Sequence, residues 1–434
     1  MKRHIMKRHI WISSVTILIL IGCIFIYLQY TSLDLNKDVV QKEGYFLSEK
    51  TSVSKEELEN SKSFFHFVES TYEKEYQFHD SISEDSYLEL IYNVTPTPIE
   101  ETDLFLPYKV ISLEGFENLS VDEICNGRVL ASFFSENRDR LGEHQIGRVI
   151  YDIEKEEVLF TILPDDCSYS IISDALSENY IYWCEAYSGA TMGSWTLKGM
   201  DLQTQNHFTI CEVGDFENIG DPNIGSCYQD ALYFYLNTKE EVTKKYPDLE
   251  IQSVTDTAYG YDLICYNPEE NMLSKKTEFN FSYNPYAYPC ITEDYIYTVD
   301  YDGTNWYILS YHIPTDTYIR YQVLLNYKSE YIQSLEASSD YIVYHTNFSR
   351  YFLLDLHTLE VQEISRNLSW YGIIKDNLFF LNDGFIYCCN ISKNSCYKLL
   401  EEGGFYTLIC RNNICGVSNQ NGQIYLFYPL KMDE

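Results

Sequence analysis

Positive charge is scarce in this chain. Thirty-one Lys and Arg, only ten of them Arg, stand against 65 Asp and Glu. Four of the 31 (Lys2, Arg3, Lys7 and Arg8) crowd into the first ten residues, so 27 remain and residues 11–434 carry a formal charge of −38. A body this acidic repels phosphate backbones and anionic head groups, which excludes nucleic acid as a partner. The chain has no G-x-x-x-x-G-K-[ST], G-x-G-x-x-G, H-E-x-x-H or G-x-S-x-G. The phosphate-loop, dinucleotide, zincin and hydrolase-elbow readings therefore lose their entry point. Nine dispersed histidines without an H-x-H spacing, and thirteen cysteines without a C-x-x-C pair, remove the common zinc and thioredoxin-like readings.

One long apolar run is present. Ile10 to Tyr30 carries no charge, and about 20 such residues cross a bilayer as a helix. The basic tail, residues 1–9, belongs on the cytoplasmic side, which places the rest of the chain outside the membrane. The run continues past Gly22-Cys23 as Ile24-Phe25-Ile26-Tyr27, which favours an uncleaved anchor over a signal peptide. Leu20-Ile21-Gly22-Cys23 also has the form of a lipobox, and lipid attachment at Cys23 is the alternative anchor.

Residues 31–84 read as a polar tether and a helix. Ser54-Lys55-Glu56-Glu57 has the capping-box form, and Leu58, Phe65, Val68 and Tyr72 recur on one helical face. From about residue 85 to 430 the chain changes to short runs dense in Tyr, Ile, Val, Leu and Phe, punctuated by Asn, Asp, Gly and Pro. These are strands and turns.

Two elements repeat. An acidic or Asn-bearing turn enters an aromatic strand, as in Glu178-Asn179-Tyr180-Ile181-Tyr182 and Glu293-Asp294-Tyr295-Ile296-Tyr297. A hydrophobic–polar–hydrophobic triplet then leads into another turn. Its middle residues are Asp152, Asp201, Asn267, His312, Asp355 and Asn390, at steps of 49, 66, 45, 43 and 35 residues. A period of roughly 40–50 residues with four strands each predicts an all-β fold, a β-propeller. Seven blades are expected, starting near residues 119, 168, 222, 285, 330, 370 and 405, with six or eight as alternatives. The long step holds a polar insertion, Thr238 to Thr257, expected to be an exposed loop or short helix. The last repeat has three strands, and residues 107–113 are expected to supply the fourth and close the ring.

These D-x-x-T turns (Asp201 to Thr204, Asp355 to Thr358) and N/D-Y-I-Y strand starts resemble the Tyr-rich, membrane-anchored or lipoprotein-type propellers of Gram-positive bacteria. In outline those are similar to TolB-like and low-density-lipoprotein-receptor-like propellers. The resemblance implies a fold and almost no activity.

Candidate sites are few. Thr298 to Trp306 contains Asp300, Asp302 and Gly303, but the glycine comes too early for a Ca²⁺ loop and abuts Asp302 where a sialidase-type Asp-box has a spacer. Ca²⁺ therefore has only weak support, no other cofactor is indicated, and Asp302-Gly303 reads as a hairpin turn. His312 and His345 read as strand residues, and Trp183, Trp195, Trp306 and Trp370 fall in four different repeats. Cys389 and Cys396 flank a six-residue segment; a turn centred on Ser392-Lys393 would set them opposite each other as a disulfide. The expected function is an extracytoplasmic, membrane-tethered and non-enzymatic module that binds protein, peptide or glycan at one end of its channel. The alternative is a carbohydrate-active enzyme, which requires two channel carboxyls about 5–10 Å apart, one of raised pKa.

Overall fold

The computed structural model describes residues 108–428, apart from 139–142, 166–168, 188–194, 214–221, 242–257, 283–289, 302–305, 324, 326–329, 366–367 and 394, together with short strands at 52–53, 66–67, 71–77 and 97–98. Residues 1–9, the apolar run from Ile10 to Tyr30 and Cys23 lie outside the described residues. Among the described residues no helix is long and apolar enough to cross a membrane.

The polar residue of each triplet builds a turn. Asp201 Oδ1 accepts the amides of Gln203 and Thr204, both at 2.8 Å, and Asp355 Oδ1 accepts those of His357 and Thr358 at 2.8 and 2.9 Å. Asp152 does the same for Glu154 and Lys155, and Asn267 for Glu269 and Glu270. Asx turns of this kind are why Asp and Asn recur there. Four residues on from Asp152, Asp201, Asn267, His312 and Asp355, the backbone is left-handed, at Glu156, Gln205, Asn271, Asp316 and Leu359. The hydrophobic residue after the polar one ties this turn to its neighbour: the amides of Ile153, Leu202, Ile313, Leu356 and Ile391 donate to Gly127, Asn179, Asp294, Asp340 and Asp376. All five acceptors lie at the turn between the first and second strands of the same sheet. One repeat therefore folds as one four-stranded antiparallel unit with both its turns at one end.

Seven such sheets form. Their first strands are Glu117–Cys125, Tyr169–Leu176, Asn223–Tyr228, Cys290–Thr292, Ile332–Ala337, Trp370–Ile374 and Phe405–Arg411. Each first strand touches the first strand of the sheets before and after it, and Phe405–Arg411 touches Glu117–Cys125. The seven sheets are thus the blades of a closed propeller, numbered here in chain order from Glu117. Lys109–Ser112 pairs antiparallel with Gln423–Phe427, running from Lys109↔Leu426 to Ser112↔Gln423, and completes blade 7.

Two expectations change. Blades 2, 3, 4 and 6 have five strands, because Ser52–Val53, His66–Phe67, Thr71–Gln77 and Thr97–Pro98 each pair parallel to the outermost strand. An outer strand leaves one row of backbone groups unpaired, and these segments fill it. His66–Phe67 and Tyr72 lie inside the helix expected from Ser54, so that reading fails at these positions; the rest of it lies outside the described residues. In the insertion, Thr238–Glu241 extends the second strand of blade 3, Ala231–Glu241, and residues 242–257 are outside the described residues.

The core lies between blades. Blades 2 and 3 enclose Tyr182, Leu197, Phe234, Ile264 and Leu273, and blades 7 and 1 enclose Ile111, Ile424, Leu426, Leu119, Val121 and Val149. Several tyrosines are buried throughout with their hydroxyls on turn groups: Tyr182 donates to Asp230 O at 2.6 Å and Tyr266 to Asn271 Oδ1 at 2.9 Å. The aromatic density is thus inter-blade packing with a polar tip reaching the turns. Trp183 and Trp195 belong to this packing, whereas Trp370 is half exposed.

The scarce cations also go inside. Arg148 pairs with Asp122 at 3.4 Å and with Asp174, Lys198 with Glu185 at 3.0 Å, and Lys275 with Asp262 at 2.8 Å. Arg320 pairs with Asp300 at 3.0 Å, and Arg350 with Glu330 at 3.3 Å and Glu363 at 2.5 Å. Blades 1 to 5 therefore each hold one cation within the sheet or against the adjoining blade.

Candidate functional site at the channel mouth

The first strands of all seven blades end at one cavity of about 510 Å³. Its rim is the set of turns between first and second strands, with Asn126, Glu178, Gln229, Glu293, Ser339, Lys375 and Asn412 exposed around it. The turns at Asn126-Gly127 and Asn412-Asn413 have positive φ at both residues. That is the two-residue hairpin geometry which Asn and Gly favour.

The floor is polar and crosses the axis. Arg411 of blade 7 donates to Glu336 of blade 5 at 3.1 Å and stands 3.9 Å from Glu123 of blade 1. Glu123 also accepts the Ile124 amide at 2.9 Å and the Ser226 hydroxyl of blade 3 at 3.4 Å. The Cys290 thiol of blade 4 lies 3.7 Å from Glu336. Asn412 donates to Ile124 O at 2.7 Å, which fastens the tip of blade 7 to blade 1. Burial works against charge on Arg411, but Glu336 and Glu123 more than offset it and hold the guanidinium protonated. Burial pushes the Glu123 carboxyl up to about 7, opposed in part by Arg411.

This has a measurable consequence. A carboxyl whose folded pKa (about 7) exceeds its ordinary 4.5 favours folding while protonated, and that contribution is lost as pH rises from about 4.5 through about 7. Glu123→Gln removes the loss. Relative to wild type, the variant should gain roughly 2–3 kcal/mol in urea unfolding between pH 4.5 and pH 8. A difference that does not move with pH would place the Glu123 carboxyl in solvent.

The other candidates lie elsewhere. Asp300 is bound to Arg320 within blade 4, and the Tyr301↔Trp306 pair makes a hairpin whose connection, 302–305, is outside the described residues. His345 stacks on Tyr351 at 4.3 Å, and burial lowers its pKa to about 4. His312 bonds Thr315 at 2.6 Å. No cluster of three or more metal-ligating side chains occurs among the described residues. Cys389 and Cys396 are register partners with Cα atoms 4.0 Å apart and are joined as a disulfide. The floor residues were not singled out from the sequence, because each comes from a different repeat.

No family model and no curated protein matches the chain. Among solved structures it is similar to the β-propeller domain of the trilobed protease from Pyrococcus furiosus, at 12% identity over 73% of this chain and 94% of that one, with a TM-score of 0.47. Virginiamycin B lyase from Staphylococcus aureus matches at 8% identity, 75% and 99% coverage and a TM-score of 0.45. BamB from Moraxella catarrhalis matches at 10% identity, 74% and 84% coverage and a TM-score of 0.40. The chain is a seven-bladed β-propeller on the pairing of its own strands.

Proposed function

We propose that this protein is a binding module, tethered outside the membrane by its N-terminal segment, whose channel mouth takes a basic segment of a protein or peptide partner. The observation carrying this reading is the cavity at which all seven blades end. Its rim exposes backbone and polar side chains for hydrogen bonding, and Glu178 and Glu293 stand there on the surface of a strongly acidic body. Such a surface draws a cationic ligand and repels an anionic one.

The test is binding of a Lys/Arg-rich peptide to the full-length protein in detergent, beside a Glu-rich peptide and a glycan array. The basic peptide should bind, weaken steeply between 50 and 300 mM salt, and lose about tenfold in affinity with Glu178→Gln and Glu293→Gln combined. Salt-insensitive binding, or binding to glycans alone, would overturn the cationic assignment. The tether is checked separately, by protease protection of the two ends in vesicles and by acyl labelling at Cys23.

A second reading, hydrolysis of carbohydrate, is favoured by one observation: Glu123 is a channel carboxyl of raised pKa and shares Arg411 with a second acid, Glu336. Release of chromophore from aryl glycosides by wild type, abolished in Glu123→Gln, would put the enzymatic reading first.

A further inference from the structure

We propose that Cys410 and Cys415 are a cross-strand disulfide site, and that oxidation there clamps the hairpin tip carrying Arg411 into the channel mouth. The two residues are register partners in blade 7, on Phe405–Arg411 and Ile414–Asn419. Between them runs Arg411-Asn412-Asn413-Ile414, and the positive φ of Asn412 (49°) and Asn413 (60°) makes the centre a two-residue turn. In that hairpin the flanking pair, Arg411↔Ile414, is the hydrogen-bonded one. The next pair, Cys410↔Cys415, is therefore of the non-hydrogen-bonded class, in which Cα atoms approach to about 4.5 Å and side chains project to the same face.

Two further observations point the same way. Cys389 and Cys396, one pair beyond Asn390↔Ser395 in blade 6, are directly opposed across a hairpin in the same manner and carry a disulfide. Cys410 and Cys415 also lie in one inter-blade cluster, where burial, and after it the neighbouring Cys410 thiol, holds the Cys415 thiol well above its ordinary pKa. Room for Cys410 is made by Gly372 of blade 6, since a Cβ there would stand 2.8 Å from the Cys410 sulfur. Cys388 lies in the same inter-blade cluster and is the competing partner, whereas Cys389 belongs to the cluster on the opposite face of blade 6.

Both thiols are buried, so the reaction proceeds while the hairpin is open, during folding or on local opening. The oxidant is a low-molecular-weight disulfide. One cysteine thiolate attacks it, forming a mixed disulfide and expelling one small thiolate. The second cysteine thiolate then attacks the protein sulfur of that mixed disulfide and expels the other. The two protons lost by the cysteines end on two small thiols, and the two electrons reduce the oxidant. The product ring fixes the turn between the cysteines, and with it the Arg411 guanidinium that meets Glu336 and Glu123. The proposal stands whatever the mouth binds.

Trypsin reads the linkage directly, because Arg411 falls between the two cysteines. The full-length protein in detergent is refolded across a series of oxidised-to-reduced glutathione ratios, alkylated while denatured, and digested. The expected result is peptide 399–411 linked to peptide 412–431, minus the two thiol hydrogens, in a fraction that rises with the oxidised ratio and vanishes on reduction. The link between 376–393 and 394–398, which reports Cys389–Cys396, serves as the internal reference. Fully alkylated Cys410 and Cys415 at a ratio where the reference link is complete would overturn the proposal. So would capture of 399–411 by 376–393 in wild type that disappears in Cys388→Ser.

Discussion

Exchange of Arg350 for methionine is expected to cost the fold about 3–5 kcal/mol. The guanidinium is bound by Glu330 and Glu363, whose side chains are 0% and 6% exposed, and it lies over the Phe352 ring at 4.8 Å. Thr346 holds Glu330 in place at 2.8 Å. Methionine fills similar space but leaves two carboxylates without a cation in a low-dielectric setting, and the unpaired charge dominates the loss. A triple variant with Arg350→Met, Glu330→Gln and Glu363→Leu should recover most of the stability, since no uncompensated charge then remains. Urea midpoints at constant m-value decide between them. A single variant within 1 kcal/mol of wild type would mean that water reaches the pair.

The second large effect concerns ring closure. Ile111 is 2% exposed, faces Ile424 across the final ladder, and packs with Leu119, Val121 and Val149 of blade 1. Aspartate there buries a carboxylate at the seam between the last and first blades. A loss of more than about 4 kcal/mol follows, against about 2–4 for alanine. Val110, next along the same strand and 41% exposed, supplies the control, because Val110→Asp should change stability by no more than about 0.5 kcal/mol. Equal effects at 110 and 111 would show that the closing strand does not pair in this register.

Those two positions also show what was legible in the sequence. The missing fourth strand of the last repeat pointed to closure by residues 107–113, because a count of strands per repeat can be read from the string alone. The triplets were legible for a similar reason: Asp201 and Asp355 act within three residues of themselves, through bonds to the amides of their own turns. Blade starts came out within a few residues, the poorest being 285 against Cys290. The channel floor had no such signature. Arg411 and Glu336 lie 75 residues apart, and Glu123 and Ser226 lie 103 apart, so only closure of the ring joins them. Buried cations such as Arg148 and Lys275 look like a solvated strand face until the partner acid is placed. The extra outer strands were hidden because they complete another strand's edge and bring no repeat of their own. The C-x₄-C around Arg411-Asn412-Asn413-Ile414 was available, since two consecutive asparagines are a turn signal, but it needs the strand pairing to become a site.

The direction of the closing strand fixes a polarity for the whole molecule. Lys109 pairs near the end of Gln423–Phe427, and Ser112 pairs at its start. The chain therefore enters the ring on the face that carries the mouth and leaves toward the opposite one. The outer strands at 52–53, 66–67, 71–77 and 97–98 pair parallel to the outermost strands of their blades and so share that direction, from the mouth's face toward the opposite one.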